Sequence, residues 1–220
     1  MKRCLILVEG QTEERFVKDV LAPDLLPKGL STIPTLLTTK VVKSGANFKG
    51  GVTNYSKMKG DLLKKLEDSN ALVTTLIDYY GLPDDTPGMS TRPNASPRER
   101  IQHVENTLKD DLGYRTNFLP FLLLHEFEAL LFTDHEITAS VIPAREKTPE
   151  LINIARGQEP EEINESPQTA PSKRLIQVFP NFRKTLHGPT AAKRIGLTKI
   201  RSKCPHFDNW MSQLESFAAS

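Results

Sequence analysis

The pattern of apolar and polar positions changes character along the chain. Over the first 134 residues, short apolar runs alternate with segments of helical periodicity. Residues 3–8, 37–43, 71–77 and 117–124 read as strands, and residues 12–22, 54–67, 97–111 and 125–132 as helices. Unbroken apolar runs suit strands covered on both faces. Their alternation with helices predicts an α/β fold with a parallel sheet of about four strands flanked by helices. Thr12 stands where the first helix would be capped, Asn54 where the second would be, and Ser96-Pro97 opens the third. Beyond residue 134 the strand signals fade. Helical segments at 149–157, 171–186, 189–196 and 206–217 predict a small α-helical subdomain over 135–220, beside an α/β domain over 1–134. Phe207, Trp210, Leu214 and Phe217 fall at helical spacing and are expected in its core.

The ends of the apolar runs carry the chemistry. Cys4-Leu5-Ile6-Leu7-Val8 ends in Glu9-Gly10, with Glu13 four residues on. Leu72-Val73-Thr74-Thr75-Leu76-Ile77 ends in Asp78, and Leu122-Leu123-Leu124 leads into His125-Glu126-Phe127-Glu128. Open α/β sheets bind ligands outside the carboxyl ends of their strands. Glu9, Asp78 and Glu126 are therefore candidate catalytic acids and metal ligands, with Glu13 and Glu128 as further ligands. Each has an alternative reading. Glu13 suits the positive end of a helix, and Asp78 suits a turn. Glu126 and Glu128 diverge in a regular helix and converge only in a turn. His125 is a candidate for proton transfer or phosphate contact, or a hydrogen-bonded turn residue. Oxygen-only donors point to Mg²⁺ or Mn²⁺. Such ions neutralise the transition state of phosphodiester cleavage and activate water. Zinc-type His/Cys spacing, a phosphate-binding P-loop and a G-x-S-x-G elbow are absent.

Composition adds little, and the distribution of charge adds more. The 220 residues carry a net charge of +2, with 38% hydrophobic and 25% charged residues, so no global basicity argues for nucleic acid. The basic residues gather late. Lys193, Arg194, Lys199, Arg201 and Lys203 form a candidate nucleic-acid surface. Around them, His187-Gly188-Pro189 reads as a turn before a short helix stopped by Gly196, similar to half of a helix-hairpin-helix. A solvated helical surface is the alternative. Two cysteines, no leader-like run and no long apolar stretch predict a cytoplasmic protein without a membrane span.

Taken in order, these motifs resemble a known group. Val8-Glu9-Gly10-x-x-Glu13 after a strand, with a later strand ending in Asp78, is similar to a Toprim domain, most of all to the variant in overcoming-lysogenization-defect (OLD) nucleases. With Tyr79-Tyr80-Gly81-Leu82-Pro83, His125-Glu126-Phe127-Glu128-Ala129-Leu130 and Lys199-Ile200-Arg201-x-x-Cys204-Pro205-His206-Phe207, nearly the whole chain resembles a Toprim-like family of unknown function. Its members are bacterial and often encoded beside an AAA/ABC-type ATPase. The resemblance implies a Toprim-like sheet, divalent metal, a DNA or RNA substrate, an ATPase partner and a role in antiviral defence, with a homo-oligomer left open. Glu9 takes the place of the Toprim glutamate and Asp78 that of the first acid of the Asp-x-Asp motif. Tyr80 stands where the second acid belongs, and Glu126 or Glu128 are the candidate replacements. Three functions follow as expectations: a Mg²⁺-dependent nuclease, a catalytically inactive module that binds the ATPase or nucleic acid, and a phosphohydrolase of small nucleotides.

Overall fold

The computed structural model describes residues 1–37, 54–155, 157–163 and 169–220. Among the described residues, five parallel strands form the sheet: β1 (Lys2–Val8), β2 (Leu30–Leu36), β3 (Ala71–Asp78), β4 (Phe118–Leu119) and β5 (Leu122–Leu123). Their order is β2-β1-β3-β4, with β5 continuing along β3. The chain leaves β1 for β2 on one side, then crosses back to lay β3 on the other. The carboxyl ends of β1 and β3 therefore flank the topological switch point, where open α/β sheets form their ligand crevice.

Alternating side chains of these strands serve two cores. Cys4, Ile6, Val8, Leu72 and Leu76 face one, and Leu7, Val73 and Ile77 the other. The second core is roofed by α3 (Tyr55–Leu66) and α4 (Pro97–Asp111). Asn54 caps α3 by accepting from Lys57 N–H, and Ser96 with Glu99 forms a reciprocal capping box on α4. The first core is covered by α1 (Gln11–Phe16), which passes through a π-helical turn (Val17–Leu21) into α2 (Ala22–Leu25). The same core takes in the C-terminal helices: α5 (His135–Val141), α6 (Thr148–Ala155), α7 (Pro171–Val178), α8 (Lys184–Ile195), α9 (Leu197–Lys203) and α10 (Pro205–Ala219). Phe207, Trp210 and Leu214 are buried there, and the Trp210 indole N–H donates to Thr74 Oγ1 of β3 at 2.9 Å. Residue 134 thus marks a change in element type, while the helices beyond it share one core with the sheet. Among the described residues, no helix is long and apolar enough to cross a membrane.

Several sequence expectations need correction. β2 lies at Leu30–Leu36, a stretch whose apolar pattern is interrupted by Pro34. Its position at the sheet edge tolerates that missing N–H. The strand expected at 37–43 lies, beyond Leu37, outside the described residues. The strand expected over 117–124 is split at Pro120 into β4 and β5. Thr75 bridges the break, its hydroxyl donating to Phe121 C=O at 2.6 Å and accepting from Phe121 N–H at 2.9 Å. The helix expected at 125–132 is a 3₁₀ segment, Phe127–Thr133. The first helix is capped at Gly10, two residues before Thr12. The helix expected over 171–186 ends at Val178, ahead of Pro180. Finally, Gly188-Pro189 makes no turn, because both lie inside α8. Pro189 has no N–H for the Thr185 carbonyl one turn back, and the Arg15 guanidinium donates to that carbonyl at 2.7 Å instead. Gly188 lets α8 lie close to α1 and the 3₁₀ segment, since a Cβ there would stand 3.2 Å from Phe127 and 3.5 Å from Thr12.

Candidate functional site

The carboxylates predicted at the strand ends come together at the switch point. Glu9 follows β1 directly, Asp78 is the last residue of β3, and Glu13 sits in the first turn of α1. All three line one cleft of about 540 Å³, closed on the far side by Lys184 and Thr185 at the start of α8. Each is held by a backbone contact that its local sequence supplies. Glu13 Oε2 accepts the Gly10 N–H at 3.0 Å, so it caps its own helix while facing the cleft. Asp78 Oδ1 accepts the Phe127 N–H at 2.8 Å. That bond draws the Glu126-Phe127-Glu128 segment to the end of β3. The Tyr80 N–H donates to the His125 carbonyl at 3.1 Å, which ties the two strand-end turns together. His125 itself takes a left-handed φ of 69°, uncommon outside glycine, to make that reversal.

Glu9 occupies a space that only glycine leaves. A Cβ on Gly81 would stand 2.8 Å from Glu9 Oε2 and 3.0 Å from Oε1. Glu9 Oε2 is buried and has no hydrogen-bond partner, an expensive arrangement for a carboxylate oxygen. One cation answers this group. Lys184 Nζ lies 3.1 Å from Glu128 Oε2 and 3.7 Å from Glu126 Oε1. Glu126 Oε2 also accepts the Ser172 N–H at 2.9 Å.

Charge in the cleft is therefore unbalanced. Burial, and then the neighbouring Glu13 carboxylate, push Glu9 up to about 7, against partial relief from the Asp78 backbone and Lys184. Burial holds Glu128 at about 7 even with Lys184 beside it. Asp78 is raised well above the ordinary range by burial and then by Glu9, Glu13 and Glu128. Glu13 is raised by burial. Burial lowers Lys184, but Glu128, Glu126 and Asp78 outweigh it, so its ammonium is held above the ordinary lysine range. Acids crowded without enough countercharge mark sites that bind cations or move protons.

The donor set fits a hard cation by chemistry: it is all oxygen, carries excess negative charge and includes an unpartnered buried carboxylate oxygen at Glu9. Among the described residues, no three Asp, Glu, His or Cys side chains form a ready-made coordination group. Mg²⁺ keeps several waters and takes one or two carboxylates plus substrate phosphate. Glu9 and Asp78 are the pair that would hold it.

Other predicted residues lie elsewhere. His125 is buried, with Nε2 3.1 Å from the Glu161 carbonyl and its ring beside Tyr80, and it does not line the cleft. Tyr80, in the second-acid position, belongs to the turn Tyr79–Gly81. Of the basic residues, Lys199 pairs with Asp134, Arg201 with Asp208 and Glu215, and Lys203 with Glu159. Lys193 and Arg194 are exposed in the last turn of α8. In the sequence Lys184 reads only as one more basic residue of the C-terminal region, inside a helix expected over 171–186, and nothing there places it at the carboxylates. Pro180 was the available signal that a new helix begins after it.

The chain is 32% identical over 112 residues to Rop guanine nucleotide exchange factor 9 of Arabidopsis thaliana. That match spans 49% of this chain and 21% of the plant protein. The C-terminal region of the OLD protein of Xanthomonas campestris pv. campestris is similar at 17% identity and a TM-score of 0.36, over 97% of this chain and 98% of that structure. The model of the domain of unknown function DUF4276 matches residues 8–215, from the end of β1 into α10, and the chain belongs to that family.

Proposed function

We propose that this protein is a Mg²⁺- or Mn²⁺-dependent, Toprim-type phosphodiesterase acting on DNA or RNA, and that it works in bacterial antiviral defence beside an ATPase. The observation that carries this reading is the convergence of Glu9, Glu13 and Asp78 on one cleft at the switch point, with too little positive charge to neutralise them. Glu9 and Asp78 would hold the ion, and Glu13 would orient water or a second ion. When bound, the ion supplies charge neutralisation for the scissile phosphate and lowers the pKa of bound water. The chain's own residues do the rest. Lys184 keeps its ammonium charged and lines the same cleft as the acids, placed to donate to a phosphate oxygen. Asp78, fixed by the Phe127 N–H, keeps its geometry as charge in the cleft changes. Glu9, raised by burial and by Glu13 in the metal-free chain, would be held ionised by the cation it binds.

The test is cleavage of plasmid DNA and total tRNA with Mg²⁺, with Mn²⁺ or with EDTA, using Glu9→Gln as control. Metal-dependent cutting that is lost in the variant is the expected result. Cutting that survives EDTA or Glu9→Gln would overturn this reading.

Two observations favour a second reading. Tyr80 replaces an acid, and Lys184 lies at Glu126 and Glu128 as a built-in counter-ion. A catalytically inactive module that binds the ATPase or nucleic acid would keep both features. In that case no metal would support cleavage, and Glu9→Gln would leave complex formation intact.

A further inference from the structure

A second cavity, of about 720 Å³, opens beside the first residues of α8 between the end of α5 and the end of α7. Its character is opposite to that of the carboxylate cleft. The floor is apolar, built from Ile142, Val178, Phe179 and Phe182, and no acidic side chain lines it. Cationic Lys147 and Arg183 stand on its walls together with His187. The His187 ring is fixed. Its Nδ1 accepts the Arg183 backbone N–H at 3.0 Å, so the neutral ring carries its proton on Nε2. Burial and then Arg183 lower the His187 pKa, which keeps that neutral form in place at physiological pH. Phe182 packs against the imidazole with ring centroids 5.8 Å apart. The cavity thus combines an apolar floor, one oriented N–H donor and two cations. Its volume lies in the range of ordinary small-ligand pockets, about 300–1,000 Å³. Arg183 and Lys184 are neighbours in the chain, yet one lines this cavity and the other the carboxylate cleft.

We propose that this cavity seats a nucleotide of a single-stranded nucleic acid, with the base in its apolar part, His187 Nε2–H on a base or sugar acceptor, and Lys147 and Arg183 on the phosphate. Bases turned out of a strand are held in this way, by apolar or aromatic faces with cations following the backbone. The proposal rests on the reading of the neighbouring cleft as a phosphodiester site. It names where the residue next to the scissile bond is held, and it favours unpaired over duplex substrate.

The test separates the two. Binding of 5′-AMP, adenosine and inorganic phosphate is measured by titration calorimetry in EDTA, where no cleavage occurs. Expected is one saturable AMP site, tighter than either fragment, and displaced by a short oligothymidylate. Arg183→Glu should weaken AMP at least tenfold. Asn181→Trp, an exposed residue at the cavity wall, should block it without touching the core, and Glu9→Gln should leave AMP binding unchanged. Phosphate binding as tightly as AMP would overturn the seating of a base. AMP binding indifferent to both Arg183→Glu and Asn181→Trp, or preferential binding of an acidic peptide, would overturn the proposal as a whole. AMP binding of the expected kind with no cleavage of any polymer would leave this site standing and remove the nuclease.

Discussion

The carboxylate cleft and the basic stretch at 193–203 look alike in sequence, as clusters of like charge, and differ in the folded chain. In the basic stretch, Lys199, Arg201 and Lys203 each find an acid from another element or turn, and Arg201 alone binds Asp208 and Glu215 while also reaching Ser212. The paired charges tie α9 to α10 through Arg201, to the start of α5 through Lys199 and to Glu159 through Lys203. In the cleft, Glu9, Glu13 and Asp78 share one nearby ammonium with Glu126 and Glu128, and the acids are pushed up in consequence. A charged cluster whose members are paired is architecture. One whose members repel is kept for a partner that neutralises them.

That contrast can be broken in several places. The largest effect is expected on activity. Asp78→Asn or Glu9→Gln should reduce metal-dependent cleavage by more than the roughly 10–100-fold that follows loss of a group hydrogen-bonded to a metal ligand, while thermal stability holds or rises because a repelling charge is gone. Gly81→Ala should sharpen the point. Its Cβ would meet Glu9 Oε2 at 2.8 Å, so the carboxylate must swing away. A shift of about 1 Å at a reacting group can cost on the order of 100-fold in rate. The displaced atoms end a flexible side chain, so the urea midpoint should scarcely change.

Lys184→Met removes the one cation from Glu128, whose side chain is 2% exposed. Breaking a fully buried pair costs about 3–5 kcal/mol. Lys184 is 42% exposed, so solvent screening reduces the expectation to roughly 1–3 kcal/mol in urea unfolding. In the basic stretch the order reverses. Arg201→Ala should cost about 1 kcal/mol of stability with little change in nucleic-acid affinity. Lys193→Ala with Arg194→Ala should leave stability unchanged and, if both touch phosphate, reduce the salt slope of binding by about 2.

A further effect is on pH dependence. Glu9 and Glu128 rise from an ordinary 4.5 to about 7 in the folded chain. Between those values the folded state holds more protons than the unfolded one, so stability falls as pH rises through that window and levels off above it. Thermal melts of the metal-free protein should show this decline, and Glu9→Gln should flatten it.

Much of the site is legible in the sequence because its acids follow apolar runs. Glu9 and Asp78 are marked by β1 and β3, strands buried on both faces and so nearly free of interruption. β2 and β4–β5 are harder to read, because Pro34 and Pro120 break edge strands whose lost ladder bonds the sheet can do without. The placing of Lys184 is a tertiary fact. It depends on α8 lying flat against α1 through Gly188 and on Arg15 answering the carbonyl that Pro189 leaves unbonded. Neither contact leaves a periodic trace. The opposite end of the chain shows the same limit, since pairing partners for Lys199 and Lys203 come from residues 65 and 44 positions away.

The most direct test is Mn²⁺ binding to the metal-free protein, followed by electron paramagnetic resonance above pH 7, where Glu9 is ionised. Expected is a saturable site lost in both Glu9→Gln and Asp78→Asn and kept in Lys193→Ala with Arg194→Ala. Absence of a site in the native chain, or a site that survives both acid substitutions, would contradict the claim that the crowded carboxylates exist to hold a cation.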